Sequence, residues 1–215
     1  RHPMIFCLAV IQLRVPQGLG AIEAGEGSEA TMPDQPASRP LRAYFGDPFT
    51  YRVVEDALDP DGPPAIDLGF LCAWMPGQDL PGFDNARPGH SVTIDPVHAT
   101  ATVRTDKPRL WTYVAQVRRI IDGDTLDVVV NLGLGHYTTT RLRLRGIDTP
   151  ELYTEAGRQA KAFVESALED VDCIVITTKR TNNYGRYLAD VKYLAGAHGP
   201  KQVIAKGTFL NRQLL

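Results

Sequence analysis

Three segments in the second half of the chain are rich in β-branched residues, and polar and apolar residues alternate along them. The segments are 113–121, 125–132 and 138–147, and the last one reads TTTRLRLRGI. Alternation with a period of two is typical of strands that bury one face. In the third segment, Leu142 and Leu144 are therefore predicted to face a core. Arg141, Arg143 and Arg145 are predicted to share the opposite face.

The elements that follow these three strands define the predicted fold class. Segment 155–170 is predicted to be a helix because its apolar residues recur at helical spacing. These residues are Ala156, Ala160, Phe163, Val164, Ala167 and Leu168. Strands are predicted at 172–178 and 186–194. A second helix is predicted at 208–215, with Thr208 as its N-cap. This is the element order of a five-stranded OB-fold barrel with helices, in a β-rich α+β class.

Proline divides the chain, because 14 of the 16 prolines lie in residues 1–110. Residues 15–41 are rich in Gly, Pro, Ala, Ser and Glu, so segment 1–41 is predicted to be disordered or a linker. Segment 42–110 is predicted to form a small, irregular or partly disordered β-rich module of unknown role. Its strand-like pieces are 49–54, 66–75 and 90–94. The barrel is predicted to occupy 111–215.

The distribution of charge favours the second half of the chain as the part that meets a polyanion. The whole chain has a net charge of −2. Residues 111–215 hold 14 Lys and Arg against 11 Asp and Glu, a net of +3, which leaves 9 against 14, a net of −5, in residues 1–110. Three widely separated cysteines exclude a dense disulfide framework and an obvious zinc knuckle.

The sequence contains no apolar run long enough to span a bilayer, so no stable membrane association is expected. The apolar run at 4–13, MIFCLAVIQL, is followed at once by Arg14 without an Ala-x-Ala site, which argues against a signal peptide. The compartment is left open, with a cytoplasmic location slightly favoured over secretion. A monomer is favoured over an oligomer.

Three short clusters hold the residues expected to do chemistry. IDGDTL places Asp122 and Asp124 around a tight turn, where Gly123 is free to adopt a positive φ. RLRLRGIDTPEL ends a strand on Asp148 and Glu151, on either side of a proline that stiffens the turn. TNNYGRYL is a turn that leads into an arginine at the start of a strand. Carboxylates and arginines around turns indicate a site for a hard cation and a phosphodiester.

In this order, the motifs IDGDT, RLRGIDTPE and YGR resemble those of the thermonuclease (staphylococcal nuclease-like) family, over about residues 113–215. The resemblance implies a calcium-dependent nuclease that cleaves DNA and RNA and leaves 3′-phosphate and 5′-hydroxyl ends. It implies that calcium is bound by the carboxylates of Asp124 and Asp148 and by the carbonyl oxygen of Thr149.

The same resemblance implies the roles of the remaining site residues. Glu151 corresponds to the family's proposed general base. Arg143 and Arg186 correspond to its two phosphate-binding arginines, which also stabilise the transition state. Tyr184 corresponds to a tyrosine that lines the nucleotide site.

The chain departs from the family pattern at three places. The lysine-rich loop that follows DTPE in the type member is missing, and Asn183 replaces a lysine before YGR. The family continues beyond the position of Leu215, so the barrel is expected to be C-terminally truncated. The alternative function is a noncatalytic OB-fold module that binds single-stranded nucleic acid or a protein partner, with Tyr153, Tyr184 and Tyr187 as stacking platforms.

Overall fold

The computed structural model of the chain describes residues 41–76, 80–181 and 186–215, with the backbone alone described for 179–181. Apart from Leu41, the segment 1–41 that was predicted to be disordered lies outside the described residues. The structure contains two β-sheets, one on each side of the predicted division at residue 110. The division into separate domains stays a prediction.

The first sheet contains five antiparallel strands. They are β1 (Thr50–Val54), β2 (Ala65–Gly69), β3 (Cys72–Trp74), β4 (Ser91–Asp95) and β5 (Thr100–Arg104), in the order β3-β2-β1-β4-β5. The segment 66–75, predicted as one strand, forms two. Gly69, Phe70 and Leu71 adopt φ angles of 79°, 52° and 60° and reverse the chain between β2 and β3. β5 has no counterpart among the predicted strands.

The second sheet closes into a barrel. Its strands are β6 (Thr112–Ile120), β7 (Thr125–Gly133), β8 (His136–Leu144), β9 (Ile174–Thr181), β10 (Tyr187–Tyr193) and the short β11 (Thr208–Phe209). The order is β11-β10-β8-β7-β6-β9, and pairing of β9 with β10 completes the ring of five long strands. β8 and β10 are parallel, whereas the other pairs are antiparallel. The predicted five-stranded OB-fold barrel is therefore confirmed.

Three described helices accompany the barrel: α1 (Glu155–Leu168), α2 (Pro200–Lys206) and α3 (Leu210–Gln213). α1 confirms the first predicted helix, and the side chain of its N-cap Thr154 accepts a hydrogen bond from the backbone N–H of Gly157. The predicted N-cap role of Thr208 is wrong, because this residue lies in β11 and the last helix begins two residues later. α2 was not predicted, although Pro200 in its first turn is a known start signal.

The buried stripe of α1 is narrower than the apolar face predicted from its sequence. Gly157, Val164 and Leu168 are buried, whereas Ala156 is exposed and Phe163 is 41% exposed. α1 therefore contacts the barrel along one edge only. Within the described part of the chain, no helix combines the length and apolar character needed to cross a membrane.

One hydrophobic core joins the two sheets. Its buried residues come from both, and two tyrosines make hydrogen bonds from one sheet to the other. The hydroxyl of Tyr51 donates to the carbonyl of Leu132 at 2.6 Å, and the hydroxyl of Tyr113 donates to the carbonyl of Leu68 at 3.0 Å. Because buried hydroxyl groups need partners, these bonds fix how the first sheet sits on the barrel.

The turn between β2 and β3 inserts an aromatic ring between two barrel tyrosines. The ring centroid of Phe70 lies 5.0 Å from that of Tyr113 and 4.6 Å from that of Tyr187, both in tilted geometry. Tyr187 is the first residue of β10. The first sheet thus contacts the barrel at the strand that begins next to Arg186.

Candidate active site at the β6–β7 turn and the end of β8

The turn between β6 and β7 holds two of the carboxylates identified in the sequence. The side chain of Asp122 accepts a hydrogen bond from the backbone N–H of Asp124 at 3.0 Å, which closes the predicted tight turn. The positive φ expected at Gly123 is not observed. Glycine is instead required by close packing, because a Cβ atom there would lie 2.7 Å from the Cβ of Ala160 on α1.

Asp124 is a buried carboxylate, only 2% exposed. Its Oδ1 accepts hydrogen bonds from the hydroxyl of Thr125 at 2.8 Å and from Nη1 of Arg143 at 3.0 Å. Its Oδ2 accepts one from the backbone N–H of Thr149 at 3.1 Å. Burial raises the pKa of Asp124, and the three donors oppose that rise by stabilising the charged form. The carboxylate is therefore held in one position by partners from three different segments.

Arg143 brings the second carboxylate to the first. In the β7–β8 register it lies opposite Thr125, which places its guanidinium beside Asp124. Its Nη2 donates to Oδ1 of Asp148, whose side chain is 93% exposed. The carbonyl of Ile147 lies 3.5 Å from the same nitrogen. Two carboxylates that are distant in sequence thus meet at a single arginine.

Glu151 lies on the rigid turn between β8 and α1. Its carbonyl accepts hydrogen bonds from the backbone N–H of Thr154 at 2.9 Å and from the Thr154 hydroxyl at 2.7 Å. A Cβ atom on Gly157 would lie 2.1 Å from that carbonyl oxygen, so the first turn of α1 is packed against the Glu151 backbone. The side chain is exposed. The backbone is therefore fixed while the carboxylate faces solvent.

Arg186 directly precedes β10, which runs parallel to β8. Tyr187 lies opposite Leu142 and Leu188 lies opposite Arg143, so Arg186 begins the strand that neighbours the Arg143 strand. Arg186 is half-buried. Tyr184, the predicted nucleotide-lining residue, lies outside the described residues.

The other two arginines of the alternating pattern have different partners: Arg141, in β8, contacts Asp127, and Arg145, which directly follows β8, contacts Asp190. Arg145 forms a bidentate ion pair with Asp190 at 2.8 and 3.0 Å, and Asp190 is only 1% exposed. The fully buried Asn211 of α3 donates to the Arg145 carbonyl at 3.1 Å. Arg145 therefore anchors the C-terminal helix to the barrel and is not a site residue.

Sequence reasoning missed the partners that hold the site in place. Thr125 donates to the buried carboxylate, and Asp190 and Asn211 fix the end of β8. Asp127 accepts hydrogen bonds from two arginines on neighbouring strands. Its place in the alternating pattern of β7 was a signal that it faces outward. The identity of its partners depends on strand register, which a single sequence does not give.

The donor set fits a hard cation in part. The carboxylates of Asp124 and Asp148 both contact Arg143, and the backbone N–H of Thr149 donates to Asp124, so two carboxylate groups of the kind that calcium prefers are brought to one arginine. Within residues 41–76, 80–181 and 186–215, no three His, Cys, Asp or Glu side chains are grouped so that they could hold a metal ion. A calcium ion here would therefore rely on two carboxylates, a backbone carbonyl, water and substrate oxygens. Arg143 already pairs with both carboxylates, so it competes with any cation for them.

Comparison with known proteins identifies relatives of the C-terminal part. Residues 141–215 match the family model described as staphylococcal nuclease homologue. The match covers Arg143, Asp148, Thr149 and Glu151, while Asp124 precedes it and is joined to these residues by the contacts of the fold. The family indicated by the sequence motifs is therefore the one that the family model identifies.

Two curated relatives extend the comparison. The chain is 33% identical over 95 residues to the micrococcal nuclease of Shigella flexneri, covering 44% of this chain and 51% of that protein. It is 30% identical over 102 residues to an uncharacterized protein of Methanocaldococcus jannaschii, covering 36% of this chain and 47% of that protein. The chain thus spans about half the length of the curated relatives it matches.

Proposed function

We propose that this chain, whose C-terminal part belongs to the thermonuclease-like family, is a calcium-dependent nuclease that hydrolyses DNA and RNA to 3′-phosphate and 5′-hydroxyl ends. One observation carries the proposal. Arg143 contacts the carboxylate of Asp124 on the β6–β7 turn and that of Asp148, which lies on the turn that carries Glu151. A guanidinium group held between two carboxylates at a rigid turn is suited to bind a phosphodiester, because arginine binds phosphate oxygens with two parallel donors.

In the proposed reaction, a water molecule attacks phosphorus while the carboxylate of Glu151 accepts its proton. The bond from phosphorus to O5′ breaks, and O5′ leaves with the electron pair and takes a proton from solvent. The phosphate stays on the 3′ oxygen. Arg143 and Arg186 donate hydrogen bonds to the phosphoryl oxygens, whose negative charge increases in the transition state. The exposed position of Glu151 and its fixed backbone support this role.

Calcium is proposed to bind to Asp124, Asp148 and the carbonyl of Thr149. When bound, it supplies Lewis-acid stabilisation of charge on a phosphoryl oxygen. The protein's own contribution is to hold the two carboxylates at one guanidinium group without metal, and the contacts of Arg143 with Asp124 and Asp148 support this role. Tyr184 is proposed to line the nucleotide site.

The test is cleavage of labelled single-stranded DNA and RNA oligonucleotides by the purified full chain, with calcium and with excess chelator. We expect cleavage in calcium alone, with products that a polymerase extends only after a phosphatase has removed the 3′-phosphate. Glu151→Gln should keep oligonucleotide binding and lower turnover about 100- to 10,000-fold, the usual contribution of a general base. Glu165→Gln is the matched control, because Glu165 is an exposed residue of α1 that pairs with Lys161.

Two results would count against the proposal. Binding of oligonucleotides without any cleavage in calcium would favour the noncatalytic OB-fold module. Equal turnover of Glu151→Gln and Glu165→Gln would remove Glu151 from the mechanism.

A further inference from the structure

The outer face of β8 continues from the candidate site to an exposed aromatic residue. Tyr137, Thr139, Arg141 and Arg143 follow each other at every second position, so their side chains share this face. Tyr137 is 63% exposed, so this large aromatic side chain lies outside the core, to which the same strand contributes hydrophobic residues from its opposite face. The six residue steps of extended strand from Tyr137 to Arg143 span about 20 Å. This length accommodates about four nucleotides, at the lower end of OB-fold site sizes.

Between the site and Tyr137, two arginines are held in place by one aspartate. Arg119 of β6 and Arg141 of β8 lie opposite Asp127 of β7 in the two strand registers. Nη2 of Arg119 donates to Asp127 at 3.1 Å, and Nε of Arg141 donates to it at 2.9 Å. The arginine side chains remain 67% and 49% exposed. Both guanidinium groups are thus oriented while keeping donors available to solvent.

The charge of this region favours an anionic occupant. Hydrogen bonds from Arg141 and then Arg119 lower the pKa of Asp127, so the aspartate stays ionised and keeps both arginines in position. Arg118 is exposed at the β-bulge beside Arg119. Asp122 also interacts with Arg141. The region therefore holds three arginines, at 118, 119 and 141, and two aspartates, at 122 and 127, which leaves one net positive charge.

We propose that the outer face of β6, β7 and β8 is an extended binding track for single-stranded nucleic acid, leading from the candidate site to Tyr137. Arg119 and Arg141 contact the phosphate backbone, and the ring of Tyr137 stacks on an unpaired base. The inference rests on the proposed nuclease function and adds to it a preference for single strands longer than the scissile dinucleotide. A paired duplex cannot offer a base face to Tyr137, so single-stranded substrates are favoured.

The test uses the full chain with Glu151→Gln as background, so that binding is measured without hydrolysis. Fluorescence anisotropy in calcium compares a 5′-labelled single-stranded 12-mer with a dinucleotide. We expect Tyr137→Ala to weaken binding of the 12-mer about 10-fold, as for loss of one stacked base, and to leave dinucleotide binding within about twofold. Tyr137→Phe keeps the ring and should retain the parent affinity. Tyr44→Ala, which removes a 49% exposed tyrosine of the N-terminal region, is the control.

The second part of the test concerns the arginines and measures how the binding affinity depends on salt concentration. Arg141→Gln should reduce the slope of log affinity against log salt by about 0.7 for the 12-mer, as expected when one phosphate contact to a single strand is lost. Arg104→Gln, in β5 and paired with Asp106, should leave the slope unchanged. Thermal unfolding of each variant establishes that it is folded before binding is compared.

The outcomes separate the track from the nuclease function. If the background protein binds the 12-mer and both Tyr137→Ala and Arg141→Gln stay within twofold of it, the track is wrong and the nuclease proposal stands. Equal losses for the dinucleotide and the 12-mer would also overturn the track, because they would place the effect at the candidate site. If the background protein binds no oligonucleotide at all, both proposals fail.

Discussion

Arg143→Gln should increase the affinity of the protein for calcium, measured without nucleic acid. In the structure, the Arg143 guanidinium lies where a cation would meet the carboxylates of Asp124 and Asp148. A metal ion that binds both carboxylates must replace these contacts. The arginine is therefore a competing internal cation until a substrate phosphate offers it another partner.

The magnitude follows mainly from the contact with Asp124. That carboxylate is buried, and a hydrogen bond to a charged group contributes about 1.5–3 kcal/mol. The contact with Asp148 is exposed and adds little, about 0–1 kcal/mol. Removing the guanidinium should thus lower the Kd for calcium about 10- to 100-fold, since every 1.4 kcal/mol is about tenfold.

The assay is isothermal titration calorimetry of calcium into protein stripped of metal. Arg141→Gln is the matched control, because the same change is made two residues away on the same strand face, where the arginine pairs with Asp127 instead. Its Kd for calcium should change by less than about threefold, as for an exposed ion pair. Without calcium, Arg143→Gln should also unfold at a lower temperature, because the buried carboxylate of Asp124 loses its charged partner. An unchanged or weaker calcium affinity would refute the competition.

Two further predictions concern stability. Burial raises the pKa of Asp124 above its ordinary value of 3.8, so the folded state binds this proton more tightly than the unfolded state does. In chelator, the free energy of unfolding should therefore contain a stabilising contribution that is lost as pH rises from 3.8 through the folded-state pKa of Asp124. Urea denaturation at a series of pH values should show that Asp124→Asn lacks this contribution. Parallel pH profiles of the unfolding free energy for the parent protein and Asp124→Asn would contradict this. Phe70→Ala should lower the free energy of unfolding by about 2 kcal/mol, because the half-buried ring leaves a gap beside Tyr187. Leu71→Ala, at a 71% exposed position of the same turn, should cost less than about 0.5 kcal/mol, and an equal cost would exclude the packing role of Phe70.

The barrel strands and α1 were predictable because their signals are local. Alternation placed Leu142 and Leu144 in the core, where both are fully buried. The errors also have local causes. The apolar content of 66–75 suggested one strand, since no sequence pattern there announced that Phe70 and Leu71 adopt positive φ. Thr208 was a plausible N-cap, but its backbone pairs with β10 instead.

Composition gave a less regular picture of residues 42–110 than the structure does. Proline and turn residues suggested an irregular module, because they interrupt strand patterns in a single sequence. The five strands nevertheless pair, and Tyr51 and Phe70 extend their core into the barrel. The burial of these side chains depends on contacts with residues that are distant in sequence, which no local pattern reports.

By itself, the sequence determined the chemical groups available at the site and the elements that present them. IDGDT and RLRGIDTPE contain the carboxylates and arginines, and alternation predicts that Arg141, Arg143 and Arg145 share one face of the segment 138–147. Only the tertiary structure decided which of these arginines contacts the carboxylates of the candidate site. Strand register and packing set that choice: β7 places Asp124 beside Arg143, while β10 and α3 bind Arg145. A side chain's role depends on its partner across the sheet, and that partner is fixed only when the barrel closes.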